Sequence, residues 1–133
     1  MKVDHNEALN LLRKWQDILC LNDWNLSLRI RDSSWRKSGD IDVTLEYATG
    51  SVLIREVLDD LDLDTVIVHE LVHIKLYALD QMIEELLGFV YGDDAHDPKK
   101  KFAYSQFMGV LERTAEDLTR ALLDAEGRKP IET

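Results

Sequence analysis

The residues with the clearest chemistry in this chain are His69, Glu70 and His73, which stand in the order H-E-x-x-H. Side chains four positions apart lie one above the other on the same face of an α-helix. If this segment is helical, both imidazoles can bind one metal ion, and Glu70 lies beside the first ligand as a candidate general base. Two histidines and a glutamate in this pattern predict a zinc site that activates water.

The residues around the motif are compatible with a buried helix. Val66-Ile67-Val68 precede it and Ile74 follows it, all of them apolar. Lys75 is the exception and is predicted to turn away from the metal face, toward solvent. The alternative interpretation is a buried helix whose two histidines are hydrogen-bonded core residues. The pattern and its surroundings together favour the metal site.

Composition limits the class of protein. With 133 residues, of which 45% are hydrophobic, the chain is predicted to form one globular domain over residues 1–133. A net charge of −10 argues against nucleic acid and against an anionic membrane as partners. The single cysteine, Cys20, is predicted to pack in the core, and its lack of a disulfide partner fits a reducing compartment. The chain shows no apolar signal region and no run long enough to cross a membrane, so we expect a cytoplasmic protein.

Hydrophobic periodicity predicts a helix and three strands before the motif. Asp4 and Glu7 resemble a capping box that opens the helix, which is expected to end near residues 21–23. Apolar and polar residues then alternate in three segments, and the last two are predicted to form a hairpin around a turn at residues 48–51. The predicted strands are Trp24–Arg31, Ile41–Tyr47 and Val52–Val57.

The rest of the chain is predicted to be helical. The motif helix is expected to run from about Thr65 to Leu79, with Asp64 as its N-cap at the end of an acidic segment. Two further helices are predicted over Gln81–Val90 and Lys99–Glu126. Gly127 and Pro130 mark the end of the last one.

Two histidines do not complete a catalytic zinc site, which usually takes three protein ligands. Leu79 stands six residues after His73, where metzincins and three-histidine endoribonucleases have their third histidine, so both classes are excluded. A carboxylate on a later helix, or His96 in the loop before it, could supply the third ligand. Glu112 and Glu116 lie one turn apart beside an apolar helix face. The alternative is that both glutamates belong to the solvated face and that His96 is an exposed loop residue.

The segment from Val66 to Ile74 resembles the active-site helix of zincin metallopeptidases. The order of elements is similar to that of the minigluzincins and of small metallopeptidase-like proteins of phages and prophages. The resemblance implies an α+β fold with an N-terminal helix, a small three-stranded sheet, the active-site helix and a C-terminal helical part that carries a glutamate helix. It also implies Zn²⁺ held by the two motif histidines and Glu112. Glu116 would hydrogen-bond the free ring nitrogen of a motif histidine, or take the place of Glu112 as ligand.

The activity that the resemblance implies is hydrolysis of peptide bonds in a peptide or protein substrate, with Glu70 as general base. Tyr104 is the expected hydrogen-bond donor to the oxyanion, with Tyr91 and His96 as alternatives. An exposed edge strand, expected at Val52–Val57, would bind the substrate as an added strand. Two other functions stay open. One is a catalytically weak metal- and peptide-binding module on the same fold, and the other is a zinc hydrolase that acts on a different substrate.

Overall fold

The computed structural model describes residues 1–127, which form four helices and a three-stranded mixed sheet. This α+β layout, with a first helix, a small sheet, the motif helix and a C-terminal helical part, agrees with the predicted order of elements. The elements are α1 (His5–Ile18), β1 (Asn25–Arg31), β2 (Gly39–Thr44), β3 (Thr49–Arg55), α2 (Leu63–Lys75), α3 (Tyr77–Tyr91) and α4 (Pro98–Gly127).

The sheet has the order β1-β3-β2, so β3 lies in its centre. β3 runs parallel to β1 and antiparallel to β2, and the predicted hairpin of the second and third strands is confirmed. The prediction that Val52–Val57 forms an exposed edge strand is wrong. Val52 and Ile54 are fully buried, and hydrogen bonding on both sides gives β3 no free edge. The free edges of this sheet belong to β1 and β2.

The turn between β2 and β3 lies at residues 45–48, three positions earlier than predicted. Leu45 and Tyr47 continue the alternating pattern in sequence, but their side chains are exposed in the turn. Residues 49–51 belong to β3 instead. A Cβ at Gly50 would lie 2.3 Å from the carbonyl oxygen of Asp42 and 2.5 Å from the Cα of Val43, so the glycine permits the close approach of the two strands.

Helix α1 begins as predicted, with the Asp4 side chain accepting a hydrogen bond from the Asn6 N–H. It ends at Ile18, earlier than expected, and Cys20 follows in a left-handed conformation with φ 56°. The prediction that Cys20 packs in the core is wrong, because the early end of the helix leaves this side chain exposed. The core position is taken by Leu21, whose carbonyl accepts a hydrogen bond from the buried Gln16 amide.

Helix α2 is the most buried helix and carries the motif. Its N-cap is Asp62, whose side chain accepts a hydrogen bond from the Thr65 N–H, and not Asp64 as predicted. The Asp64 carboxylate instead accepts a hydrogen bond from the Trp15 indole at 3.3 Å. The helix ends at Lys75, and a single residue separates it from α3. The predicted continuation to Leu79 is therefore wrong, since that residue lies in α3.

Helices α3 and α4 form the C-terminal part. Both were predicted, although α3 begins four residues earlier than expected, and α4 runs without interruption through Gly109. The buried residues of α4 are Leu111, Ala115 and Thr119, one turn apart, where this helix packs on α2. Pro130, the predicted end marker, lies outside the described residues. Among residues 1–127, no helix combines the length and the apolar character needed to span a membrane.

Candidate metal centre

Helix α2 presents its two histidines on the one face that the core leaves open. Ile67, Val68 and Leu71 are fully buried in the core, while His69 and His73 keep 21% and 17% of their side chains exposed. Lys75 is exposed, as predicted. The helical repeat therefore does what the sequence pattern indicated, because it places both imidazoles side by side above the core.

Glu112 of α4 meets both histidines. Its Oε1 lies 2.9 Å from the Nε2 of His69, and its Oε2 lies 3.1 Å from the Nε2 of His73. The two Nε2 atoms are 3.2 Å apart. The buried residues Leu111 and Ala115 pack α4 against α2. Glu112 directly follows Leu111, and it projects over the open face of α2 with 49% of its side chain exposed.

This group could hold a metal ion, and its donor set fits zinc. Zinc bound at about 2.0–2.2 Å in a tetrahedral site separates neighbouring ligand atoms by roughly 3.4 Å. The three distances between donor atoms, 2.9, 3.1 and 3.2 Å, are close to that value. Both histidines offer Nε2, which leaves each Nδ1 available for a hydrogen bond that fixes the tautomer. Two imidazoles and one carboxylate are also the ligand types found in catalytic zinc sites.

The electrostatics of His73 suit a metal ligand. Burial and the neighbouring His69 ring lower its pKa, and the carboxylates of Glu112 and Asp80 offset part of that effect. A lowered pKa keeps the imidazole neutral at pH 7, and the neutral form is the one that binds a metal.

Glu70 lies on the same helix, and only 8% of it is exposed. Burial and the negative charges of Asp40 and Glu112 raise the pKa of its carboxyl group to about 8, while Lys37 acts in the opposite direction. Lys37 and Asp40 form an ion pair of 2.7 Å at the start of β2. A buried carboxyl group beside a possible metal site, with a pKa near neutrality, has the properties of a general acid or base.

The three donors open into a cleft of about 920 Å³. One wall is the segment of residues 37–41, which leads into the edge strand β2. The other walls are the open face of α2, the first turns of α3, and α4 from Met108 to Arg120. A cleft of this size is large enough for several residues of a peptide.

Comparisons of the chain with protein-family models, with curated proteins and with solved structures gave no match.

Glu116 lies on the cleft wall, one turn after Glu112, and is exposed. Within residues 1–127, no hydrogen bond or ion pair joins it to either motif histidine. The structure therefore brings Glu112, and not Glu116, into contact with the ring nitrogens. The expected role of Glu116 beside a histidine stays a prediction.

The expected oxyanion donors belong to α3, to α4 and to the loop between these helices. The hydroxyl of Tyr104 lies 3.5 Å from Glu84, and this tyrosine lines a second, smaller hollow between α3 and α4. His96 is exposed in the loop between these helices, and Tyr91 ends α3. None of the three lines the cleft that contains the metal centre.

Two residues on the cleft wall were missed in the sequence. Tyr77 and Asp80 lie in the first turn of α3 and face the same space as His73. Burial raises the pKa of both side chains, and the Oδ1 atom of Asp80 is buried with no hydrogen-bond partner among residues 1–127. Tyr77 follows His73 by four positions, so the periodicity of the motif face, continued past the motif, was a signal that could have found it.

The raised pKa of Glu70 predicts how the stability of the metal-free protein depends on pH. The unfolded chain ionises this carboxyl group near pH 4.5, whereas the folded protein keeps the proton up to about pH 8. The folded state therefore binds more protons between these values, and its stability falls as the pH rises. We expect the free energy of unfolding in EDTA to fall by about 3 kcal/mol more in the wild type than in Glu70→Gln between pH 5 and pH 8.

Chemical denaturation at a series of pH values measures this difference. The lowered pKa of His73 acts in the opposite direction, with stability lost as the pH falls below 6.5, but it is present in both proteins and cancels in the comparison. Parallel pH profiles for the two proteins would show that Glu70 is ionised in the folded state at neutral pH.

Proposed function

We propose that this chain is a zinc-dependent metallopeptidase of the gluzincin type, which hydrolyses peptide bonds in the cytoplasm. One observation carries the proposal. The carboxylate of Glu112 lies within 3.1 Å of the Nε2 atoms of both motif histidines, from a helix that begins more than twenty residues after the motif. A three-donor set with one position left for water is what a catalytic zinc site requires.

The chemistry follows from the residue types. When bound, zinc supplies a Lewis acid that acidifies water and polarises a carbonyl group. Glu70 accepts the proton of the attacking water and delivers it to the leaving amine, so that one carboxylate acts first as base and then as acid. Tyr77 is the tyrosine on the cleft wall and is the candidate to donate a hydrogen bond to the developing oxyanion.

The substrate is expected to bind along β2. This strand has a free edge, and the segment that leads into it forms a wall of the cleft. An extended peptide can add to such an edge through main-chain hydrogen bonds, which recognise the backbone and not a particular sequence. We therefore assign to β2 the substrate-binding role that was predicted for Val52–Val57. This assignment rests on analogy with other enzymes that bind extended peptides at a strand edge.

Zinc-dependent proteolysis tests the function. The purified protein with one zinc per chain is incubated with a panel of denatured proteins, and the products are identified by mass spectrometry. We expect cleavage that stops when a chelator removes the metal and returns when zinc is restored. A protein that binds zinc and unfolded peptides but releases no products contradicts the proposal and supports the catalytically weak binding module.

A further inference from the structure

Gly39, the first residue of β2, lies directly against the side chain of Glu70. A Cβ at this position would be 2.8 Å from Cγ1 of Val66, 3.0 Å from Cγ of Glu70 and 3.1 Å from its Oε1. Non-bonded carbon atoms prefer separations of about 3.5–4.0 Å. No side chain therefore fits at Gly39 unless one of these two neighbours moves.

Space is the only reason that this position needs a glycine. The glycines with positive φ are Gly50 and Gly92, so the backbone of Gly39 adopts a conformation that alanine tolerates. Gly88 and Gly109 provide a contrast, because a Cβ at either position would meet nothing within 4 Å. Among these five glycines, the contact with Glu70 is specific to Gly39.

We propose that Gly39 is a positioning residue that sets the place of the Glu70 carboxylate. This inference rests on the proposed function, in which Glu70 is the general base. The bare backbone of Gly39 lets the Glu70 side chain lie between β2 and α2, where it is almost completely buried. A methyl group at this position pushes on two side chains. Val66 is β-branched and stiff, whereas the carboxylate of Glu70 can rotate away.

The variant Gly39→Ala tests the effect on the reaction. We expect kcat to fall by about 100-fold, because a displacement near 1 Å is enough to disturb a positioned catalytic group. Zinc affinity should stay unchanged, since the donor atoms belong to His69, His73 and Glu112. The loss should appear in kcat more than in KM, which separates the positioning of Glu70 from substrate binding along β2. Gly88→Ala and Gly109→Ala are the matched controls and should keep the wild-type kcat. An unchanged kcat in Gly39→Ala overturns the proposal.

Thermal unfolding tests the contact without any substrate. Gly39→Ala should lower Tm by roughly 5 °C in the wild-type background. The loss should be the same in a Glu70→Gln background, because the glutamine side chain has the same size as glutamate. The loss of Tm should be clearly smaller in a Glu70→Asp background, where the side chain is one methylene group shorter. It should also be smaller in a Val66→Ala background, because Cγ1 of Val66 is the atom nearest to the added Cβ, at 2.8 Å.

A loss that disappears with Val66→Ala and is unchanged with Glu70→Asp would show that Gly39 serves packing alone, and the proposal would fail. These melting curves need no activity. If the wild type cleaves nothing, the proposed function fails, while the melting curves still decide whether Gly39 positions Glu70.

Discussion

Glu70→Gln is expected to lower kcat for peptide hydrolysis by about 10³-fold, the usual contribution of a general base, while zinc affinity stays at the wild-type value. Glutamine keeps the size of the side chain but cannot accept a proton from the attacking water. The metal centre should be unaffected because the donor atoms come from His69, His73 and Glu112. Loss of activity with retained metal therefore separates proton transfer from metal binding.

The comparison requires zinc-loaded wild type and variant, purified identically and assayed on the same unfolded substrates. Zinc per chain is measured for each preparation. His96→Ala is a suitable control, since this exposed loop histidine lies outside the cleft and should keep full activity and full zinc content. Equal cleavage by wild type and Glu70→Gln would show that Glu70 is not the base, or that the activity comes from a contaminant.

Glu112→Gln is expected to weaken zinc binding by at least about 100-fold, because loss of groups that only orient zinc ligands already costs 10–100-fold. The carboxylate of Glu112 contacts both motif histidines, at 2.9 and 3.1 Å. An amide at this position removes the negative charge and offers a much weaker ligand. Zinc should also raise Tm less in this variant than in the wild type, since the stabilisation by a bound ligand grows with the logarithm of its concentration over Kd, and a 100-fold loss of affinity removes about 2.7 kcal/mol.

Glu116→Gln is the matched control for that experiment. The two glutamates lie one turn apart on α4 and line the same cleft, but only Glu112 contacts the histidines. Zinc affinity, measured by competition with a chelating dye, should change by less than about tenfold in Glu116→Gln. A larger loss in Glu116→Gln than in Glu112→Gln would reverse the assignment and identify Glu116 as the ligand.

The sequence was most informative where chemistry depends on local geometry. The spacing of His69 and His73 fixes their relation on any helix, so the two imidazoles could be paired before the fold was known. The same holds for the alternation that identified β1 and for the apolar repeat that identified α1. In these segments one local period decides which side chains share a face.

The predictions that were wrong concern segments whose structure depends on contacts with distant parts of the chain and not on a local sequence pattern. Alternation continued through Leu45 and Tyr47, but the ladder with β3 ends at Thr44, and the chain turns at residues 45–48, where the Ala48 N–H donates to the Leu45 carbonyl. A single strand pattern also does not tell a central strand from an edge strand, and the parallel pairing with β1 placed β3 in the centre. Likewise, α1 ends before Cys20. The buried side-chain amide of Gln16 donates hydrogen bonds to the carbonyl oxygens of Leu21 and Trp24, which follow the helix.

The sequence by itself determined that the imidazoles of His69 and His73 share one helical face with Glu70 beside them, and it narrowed the candidates for a third metal ligand to a few residues. Only the tertiary structure decided that Glu112 meets both histidines, that Tyr77 and not Tyr104 lines the cleft, and that Glu70 is buried against Gly39. The physical reason is that these contacts join segments tens of residues apart. Their geometry depends on how α4 and β2 pack against α2, which no local period encodes.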